Sequence, residues 1–177
     1  MVNKRFMLGM TVMAVVLGIT VLGACASSPY IVLEEPLKPD SRSALVIFLG
    51  TSSTKAQIWD GEKPVGTFKG TPSTSMNCIF WKATPGAHIF VGRSTNFVHK
   101  RMNLQANKTY YIRIYTIPAP YVTPIAMNEL TKQEFDAYVA IRTTKYMEYD
   151  NKWREGFLAE DGGKWLKDIR EYLKTAK

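Results

Sequence analysis

Hydrophobic spacing divides the chain into three stretches. Positions 6–21 are apolar, with Thr11 and Thr20 the polar exceptions. Positions 44–117 alternate short apolar runs with turn residues, and beyond 131 the apolar positions recur at helical spacing. The continuous run Ala44-Leu45-Val46-Ile47-Phe48-Leu49 predicts a strand buried on both faces. Strands at 56–59 and 64–68 flank the turn Asp60-Gly61-Glu62-Lys63. Strands at 78–82 and 87–91 flank Ala83-Thr84-Pro85-Gly86, where Pro followed by Gly suits a type II turn. Strands at 98–104 and 109–115 flank Gln105-Ala106-Asn107-Lys108. The last of these alternates, with Tyr110, Ile112 and Ile114 on one face and Tyr111, Arg113 and Tyr115 on the other.

About seven short strands at roughly ten-residue spacing are the pattern of a β-sandwich. Pro118, Pro120 and Pro124 end the β region, and helices are expected after it. Thr131-Lys132-Gln133-Glu134 is a capping box, with Thr131 as N-cap and Glu134 reaching back. From there Phe135, Tyr138, Val139, Arg142, Tyr146 and Tyr149 fall on one helical face, a stripe expected to pack into the core. Gly162-Gly163 marks a break. A second amphipathic helix is expected at 164–175, with Trp165, Leu166, Ile169, Tyr172 and Leu173 apolar and Lys164, Lys167, Arg170 and Lys174 on the polar side.

The N-terminal stretch reads as a targeting segment rather than as part of the fold. Lys4 and Arg5 precede the apolar run, and the small residues Gly23, Ala24, Cys25 and Ala26 follow it, the order of a secretory signal. Leu22-Gly23-Ala24-Cys25 resembles the lipobox of bacterial lipoproteins. That resemblance implies cleavage before Cys25, diacylation of its sulfur and acylation of its new amine, enough lipid for a stable anchor. Ala26, where an inner-membrane lipoprotein of enteric bacteria carries Asp, implies the outer membrane. Two other readings use the same residues. One is an A-x-A site with cleavage after Ala26 and release of a soluble protein. The other is an uncleaved helix of about 17 apolar residues, the minimum for a membrane span.

Domain organisation follows: a signal peptide at 1–24, a lipidated cysteine and flexible linker at 25–43, a sandwich at 44–117, and a Pro-rich connection with C-terminal helices at 118–177. The linker assignment rests on Ser27, Ser28, Pro29, Pro36 and Pro39.

The net charge of +8 over 177 residues is concentrated in the middle, where positions 44–129 carry nine Lys/Arg against three acids. Arg93, Lys100, Arg101, Lys108 and Arg113 lie along or beside the last three predicted strands. As a group they are candidates to meet an anionic partner, with a solvated basic face as the plainer reading. A periplasmic compartment argues against nucleic acid and for anionic lipid head groups, glycans or an acidic envelope protein.

Candidate catalytic chemistry is sparse. Cys78 lies within the apolar run Cys78-Ile79-Phe80-Trp81, which predicts a buried, inert thiol. His88 follows the Pro-Gly turn, and turn packing is its expected role; His99 is the other histidine. Asp60 and Glu62 belong to a turn, which leaves Glu129 as the remaining acid of the β region. No P-loop, G-x-S-x-G or H-E-x-x-H pattern occurs. The expectation is a non-enzyme without catalytic residues, metal or cofactor.

The order of features between 44 and 115 resembles the bacterial lipoproteins of domain of unknown function 2846. The resemblance is carried by Ala44-Leu45-Val46-Ile47-Phe48, Ile58-Trp59-Asp60-Gly61-Glu62-Lys63-Pro64-Val65-Gly66, Thr84-Pro85-Gly86-Ala87-His88 and Leu104-Gln105-Ala106-Asn107-Lys108-Thr109-Tyr110-Tyr111-Ile112. It covers about 70 residues and leaves the C-terminal helices unmatched. It implies a small Ig-like or transthyretin-like sandwich in the cell envelope, and no activity.

Overall fold

The computed structural model describes residues 30–51, 53–70 and 75–176, with the side chain of Asp161 excepted. The leader, the lipobox and Cys25 lie outside the described residues. The chain is mainly β, with two sheets and three helices near the C-terminus. The strands are β1 (Ile31–Leu33), β2 (Ala44–Gly50), β3 (Lys55–Asp60), β4 (Lys63–Lys69), β5 (Ser75–Ala83), β6 (Gly86–Arg93), β7 (Phe97–Leu104), β8 (Thr109–Thr116), β9 (Ile125–Leu130) and β10 (Thr143–Glu148). The helices are α1 (Lys132–Ala140), α2 (Asn151–Phe157) and α3 (Gly163–Thr175). A six-stranded sheet runs β1-β10-β5-β2-β8-β9 and a four-stranded sheet β4-β3-β6-β7.

The core lies between the sheets. Ala44, Val46 and Phe48 of β2 point into it and meet Ile58, Val65, Phe90, Ile112 and Ile114. Phe48 and Phe90 touch edge to face, with ring centroids 5.3 Å apart. Leu45, Ile47 and Leu49 point the other way and are buried as well, in a second cluster with Met76, Phe80, Leu130 and Phe135. Each such side chain contributes about 1.5–3 kcal/mol on full burial. A third cluster covers the outer face of the small sheet, where Trp59 and Val91 meet Ile169, Trp165 and Leu166 of α3. The layers are therefore α1, large sheet, small sheet, α3.

Three expectations need correction. The segment 25–43 is not linker throughout. Ile31–Leu33 forms β1, antiparallel to β10, and Leu33 and Leu37 pack on the second cluster. The apolar run Tyr30-Ile31-Val32-Leu33 precedes Pro36, so the prolines punctuate this stretch without keeping it off the sheet.

The region 118–177 is not only a connection and helices. β9 extends the large sheet beside β8. After α1, β10 inserts between β1 and β5, parallel to β5. The Phe135–Tyr149 stripe is thus split between helix and strand. Phe135, Tyr138 and Val139 lie on α1 or its last turn, Tyr146 on β10, and Tyr149 turns into the central core. Thr143 and Thr144 are β-branched and stiff at χ1, which favours a strand, and they pair with Ser75 and Met76 of β5.

The break expected at Gly162-Gly163 is present but lies two residues earlier: the chain kinks between α2 and α3 at Glu160, whose φ −98° and ψ −109° are non-helical. The capping box at Thr131 is present as expected, with the Thr131 side chain accepting from Glu134 N–H and Glu134 accepting from Thr131 N–H at 2.7 Å.

Tyr149 sets a tight contact. Its ring lies over Gly66 of β4, where a Cβ would come within 2.5 Å of Cε2. Its hydroxyl donates to the Thr67 carbonyl at 2.7 Å, and burial pushes its pKa up to about 12. The ring is held on its other side by Trp153, centroid to centroid 4.3 Å. Gly66→Ala is expected to destabilise by about 1–3 kcal/mol, as overpacking does, read as a lower urea midpoint with an unchanged m-value.

Candidate functional site

The two ends of the sandwich differ in chemistry. At one end lie the β3–β4, β5–β6 and β7–β8 turns, the first two tied together by Asp60. Its carboxylate accepts from Trp81 Nε1 at 2.8 Å and from His88 Nδ1 at 2.8 Å. His88 Nε2 donates to the Thr84 carbonyl at 2.8 Å. Both acceptors are satisfied together when each ring nitrogen carries a proton. The side chains of His88 and Asp60 are only 13% and 9% exposed. Asp60 and His88 come from the small sheet and Trp81 from the large one, so the clamp joins the sheets as well as the turns. Gly61, with φ +55°, makes the adjoining turn possible. His88 therefore packs its turn, as its sequence position implies, and both ring nitrogens are occupied.

Cys78 is fully buried against Phe80 and Met76, and burial pushes its thiol well above the usual range. A thiol so placed is a poor nucleophile. His99 faces α3, with Nδ1 bonded to the Tyr172 hydroxyl at 2.9 Å. Among the described residues, no group of three or more His, Cys, Asp or Glu is placed to hold a metal ion.

The five basic candidates do not share a face. Strands β7 and β8 follow each other in the chain but belong to different sheets. Arg93, on β6, is 17% exposed; it stacks on Trp165 at 3.3 Å and reaches Asp168 at 3.7 Å. Arg101, on β7, donates to the Ala176 carbonyl beyond α3. Arg113, on β8 of the large sheet, donates to the Tyr138 hydroxyl and lies over the Tyr115 and Tyr138 rings. Lys100 pairs with Glu129 at 3.6 Å. Lys108 sits in the turn before β8, its carbonyl accepting from Leu45 N–H. Arg93 and Arg113 thus hold α3 and α1 against the sheets, and Arg101, though exposed, is bonded to the chain just beyond α3. A single basic sheet face is not formed.

Among the described residues the opposite end is built from 51, 53–55, 69–70, 75, 93–97 and 116–125, which include Ser, Thr, Pro, Lys and Arg and no Asp or Glu. A cleft of about 330 Å³ lies there, lined by Ser53, Lys55, Ser94, Thr95, Thr116 and Thr123. A shallower hollow of about 220 Å³ adjoins it on the small sheet, sharing Lys55 and Ser94 and adding Gln57, Thr67 and Arg93.

The walls of the cleft are held from behind. Thr54, fully buried, donates to the Ile114 carbonyl at 3.2 Å. Ser53 Oγ donates to Thr116 Oγ1 at 3.3 Å. The Asn96 amide brackets Ile125, donating to its carbonyl at 3.0 Å and accepting from its N–H at 2.8 Å. The loop between β8 and β9 closes at its neck, where Ile117 N–H donates to the Pro124 carbonyl at 2.8 Å. Its tip carries Tyr121 at 97% exposure and Val122 at 55%. Three prolines within eight residues limit the freedom of that tip.

Lys55 and Lys69 are direct cross-strand partners on β3 and β4, and neither is ion-paired to a described residue. Like charges so placed repel. The basic residues along β6–β8 stand out in the sequence more than this end does. Its signal was a recurrence: hydroxyl-rich, acid-free segments at every second turn.

No protein-family model matches the chain, and no curated protein matches it.

Two outcomes check this account. Asp60→Asn is expected to destabilise by about 1–3 kcal/mol, the penalty for weakening buried charge-assisted bonds, with Trp81→Phe milder, both read from urea unfolding. Cys78 is expected to stay unreactive toward an aromatic disulfide reagent in the native protein and to react at once in denaturant.

Proposed function

We propose that the protein is a non-catalytic binding or structural module of the bacterial cell envelope, anchored through lipid on Cys25 and facing the periplasm, in the outer membrane by the Ala26 criterion. The observation that carries the binding role is the loop end, where a walled cleft and a stiff loop with an exposed tyrosine face solvent. Loops held on a rigid sandwich are where such folds place recognition. The residues best suited to covalent or acid–base chemistry are engaged elsewhere: His88 in the turn clamp, Cys78 in the core.

Support for the anchor is the lipobox-like run and the charged, apolar and small segments before it. Among the described residues no helix is long and apolar enough to cross a membrane. The two-sheet architecture agrees with the small sandwich that resemblance to domain of unknown function 2846 implies. On this reading the module recruits or holds an envelope partner at the membrane. A second reading, recognition of an anionic lipid or glycan, is favoured by the absence of carboxylates from the sequence of the loop end. It moves from the covered sheet faces to those loops.

In a bacterial host with an outer membrane, the wild-type chain is expected to incorporate labelled palmitate and to sediment with membranes. Cys25→Ser should lose both. Palmitate label that survives the substitution refutes the anchor. In-cell crosslinking of the two forms, followed by mass spectrometry, then separates the roles. A protein enriched only with the anchored form establishes an assembly role, and retention of lipid or glycan instead favours ligand recognition.

A further inference from the structure

The cleft at the loop end has a chemistry that narrows its ligand. Hydroxyl groups of Ser53, Ser94, Thr95, Thr116 and Thr123 line it, and each can both donate and accept. That is the complement of a polyol. Among the described residues the one charged side chain in the lining is Lys55. No ion pair joins it to a described residue, and its cross-strand neighbour is Lys69. An anion near Lys55 relieves the repulsion between the two ammonium groups. The volume, about 330 Å³, falls at the lower end of small-molecule sites, ~300–1,000 Å³. At the rim, two residues from the lining Thr123, Tyr121 presents an unpacked aromatic ring on a proline-stiffened loop. Such a ring offers an apolar face and a polar tip to a ligand.

We propose that this cleft binds an anionic saccharide, a sugar unit bearing a phosphate or a carboxylate. Lys55 meets the charge, the five hydroxyl side chains meet the ring hydroxyls, and Tyr121 covers the exposed face of the sugar. The proposal deepens the binding-module reading and rests on it only for the setting.

A membrane surface is the competing occupant, and the path of the chain speaks against it. β2 and β8 run toward the loop end, β5 and β10 away from it. β1 is antiparallel to β10, so it too runs toward the loop end and the chain enters from the clamp side. The cleft therefore lies at the end of the sandwich opposite Tyr30.

The test is an amide NMR titration of the full chain in detergent micelles. Glucose 6-phosphate and glucuronate are the probes, with inorganic phosphate and glucose as the separating arms. Both anionic sugars are expected to shift Ser53, Ser94, Thr95 and Thr116 saturably. Phosphate alone and glucose alone should bind about tenfold more weakly or worse, the equivalent of ~1.4 kcal/mol. Lys55→Glu, at an exposed strand end, should remove the shifts while leaving the spectrum dispersed. Tyr121→Ala should weaken binding severalfold, and Lys100→Glu, paired elsewhere with Glu129, should leave it unchanged. Absence of shifts with either anionic sugar overturns the proposal. So does binding of inorganic phosphate as tight as that of the sugar phosphate, or binding that survives Lys55→Glu. None of these outcomes touches the palmitate experiment, so the cleft and the anchor stand or fall separately.

Discussion

β2 offers no polar face to water. All seven of its residues are buried, so its two sides must both be covered by other parts of the chain. One side is covered by the small sheet, which makes the sandwich. The other needs a helix, because the large sheet can pair further strands only at its edges. α1 supplies it. The chain leaves β9 at one edge, lays α1 across the outer face and returns as β10 beyond β5. A helix joining two strands of one sheet is the ordinary way to bridge over intervening strands. The small sheet poses the same problem on a smaller scale. Trp59 and Val91 face outward from it, and α3 covers them.

Covering both outer faces leaves the ends and edges of the sandwich as its open surfaces. The arginines at 93, 101 and 113 illustrate the consequence. Arg93 and Arg113 lie along aromatic rings with their head groups engaged by a helix, as amphipathic cations do when they pack, and Arg101 is bonded to the Ala176 carbonyl beyond α3. Their charge serves cohesion between layers. At the clamp end, Asp60 gathers Trp81 and His88 into a buried polar network that ties three strands from both sheets. Such a network is valuable only when fully satisfied, and here both carboxylate oxygens and both imidazole nitrogens have partners. The loop end has a different character. Its internal bonds, through Thr54, Asn96 and the neck of the β8–β9 loop, hold the walls in place and leave the cleft lining and Tyr121 facing outward.

The division between clamp and cleft also assigns the two kinds of turn. Asp60-Gly61 and Pro85-Gly86-Ala87-His88, the parts most like a recurring motif, meet each other in space. Their pairing, through the Asp60–His88 bond, serves the fold. At the far end Arg93 pairs with Asp168, and Lys55 is the one cation among the described residues that line the cleft.

Much of this was legible in the residues themselves. Local chemistry determined the double burial of 44–49, the seven strands of the middle segment, the turn residues and the Thr131 cap. It also determined the apolar face of α3 and the inert setting of Cys78. Those features depend on neighbours within a few positions, where period and turn preference act. Tertiary structure decided the rest. Ile31–Leu33 is a strand only because β10 lies beside it, and 143–148 is a strand only because β5 and β1 flank the gap it fills. Charge along β6–β8 looked like one face because the strands are consecutive, but the chain changes sheets between β7 and β8. The cleft draws its lining from three segments far apart in sequence. No periodicity records which turns share an end of a sandwich, because that follows from strand order and direction, and those are set by burial across the whole chain.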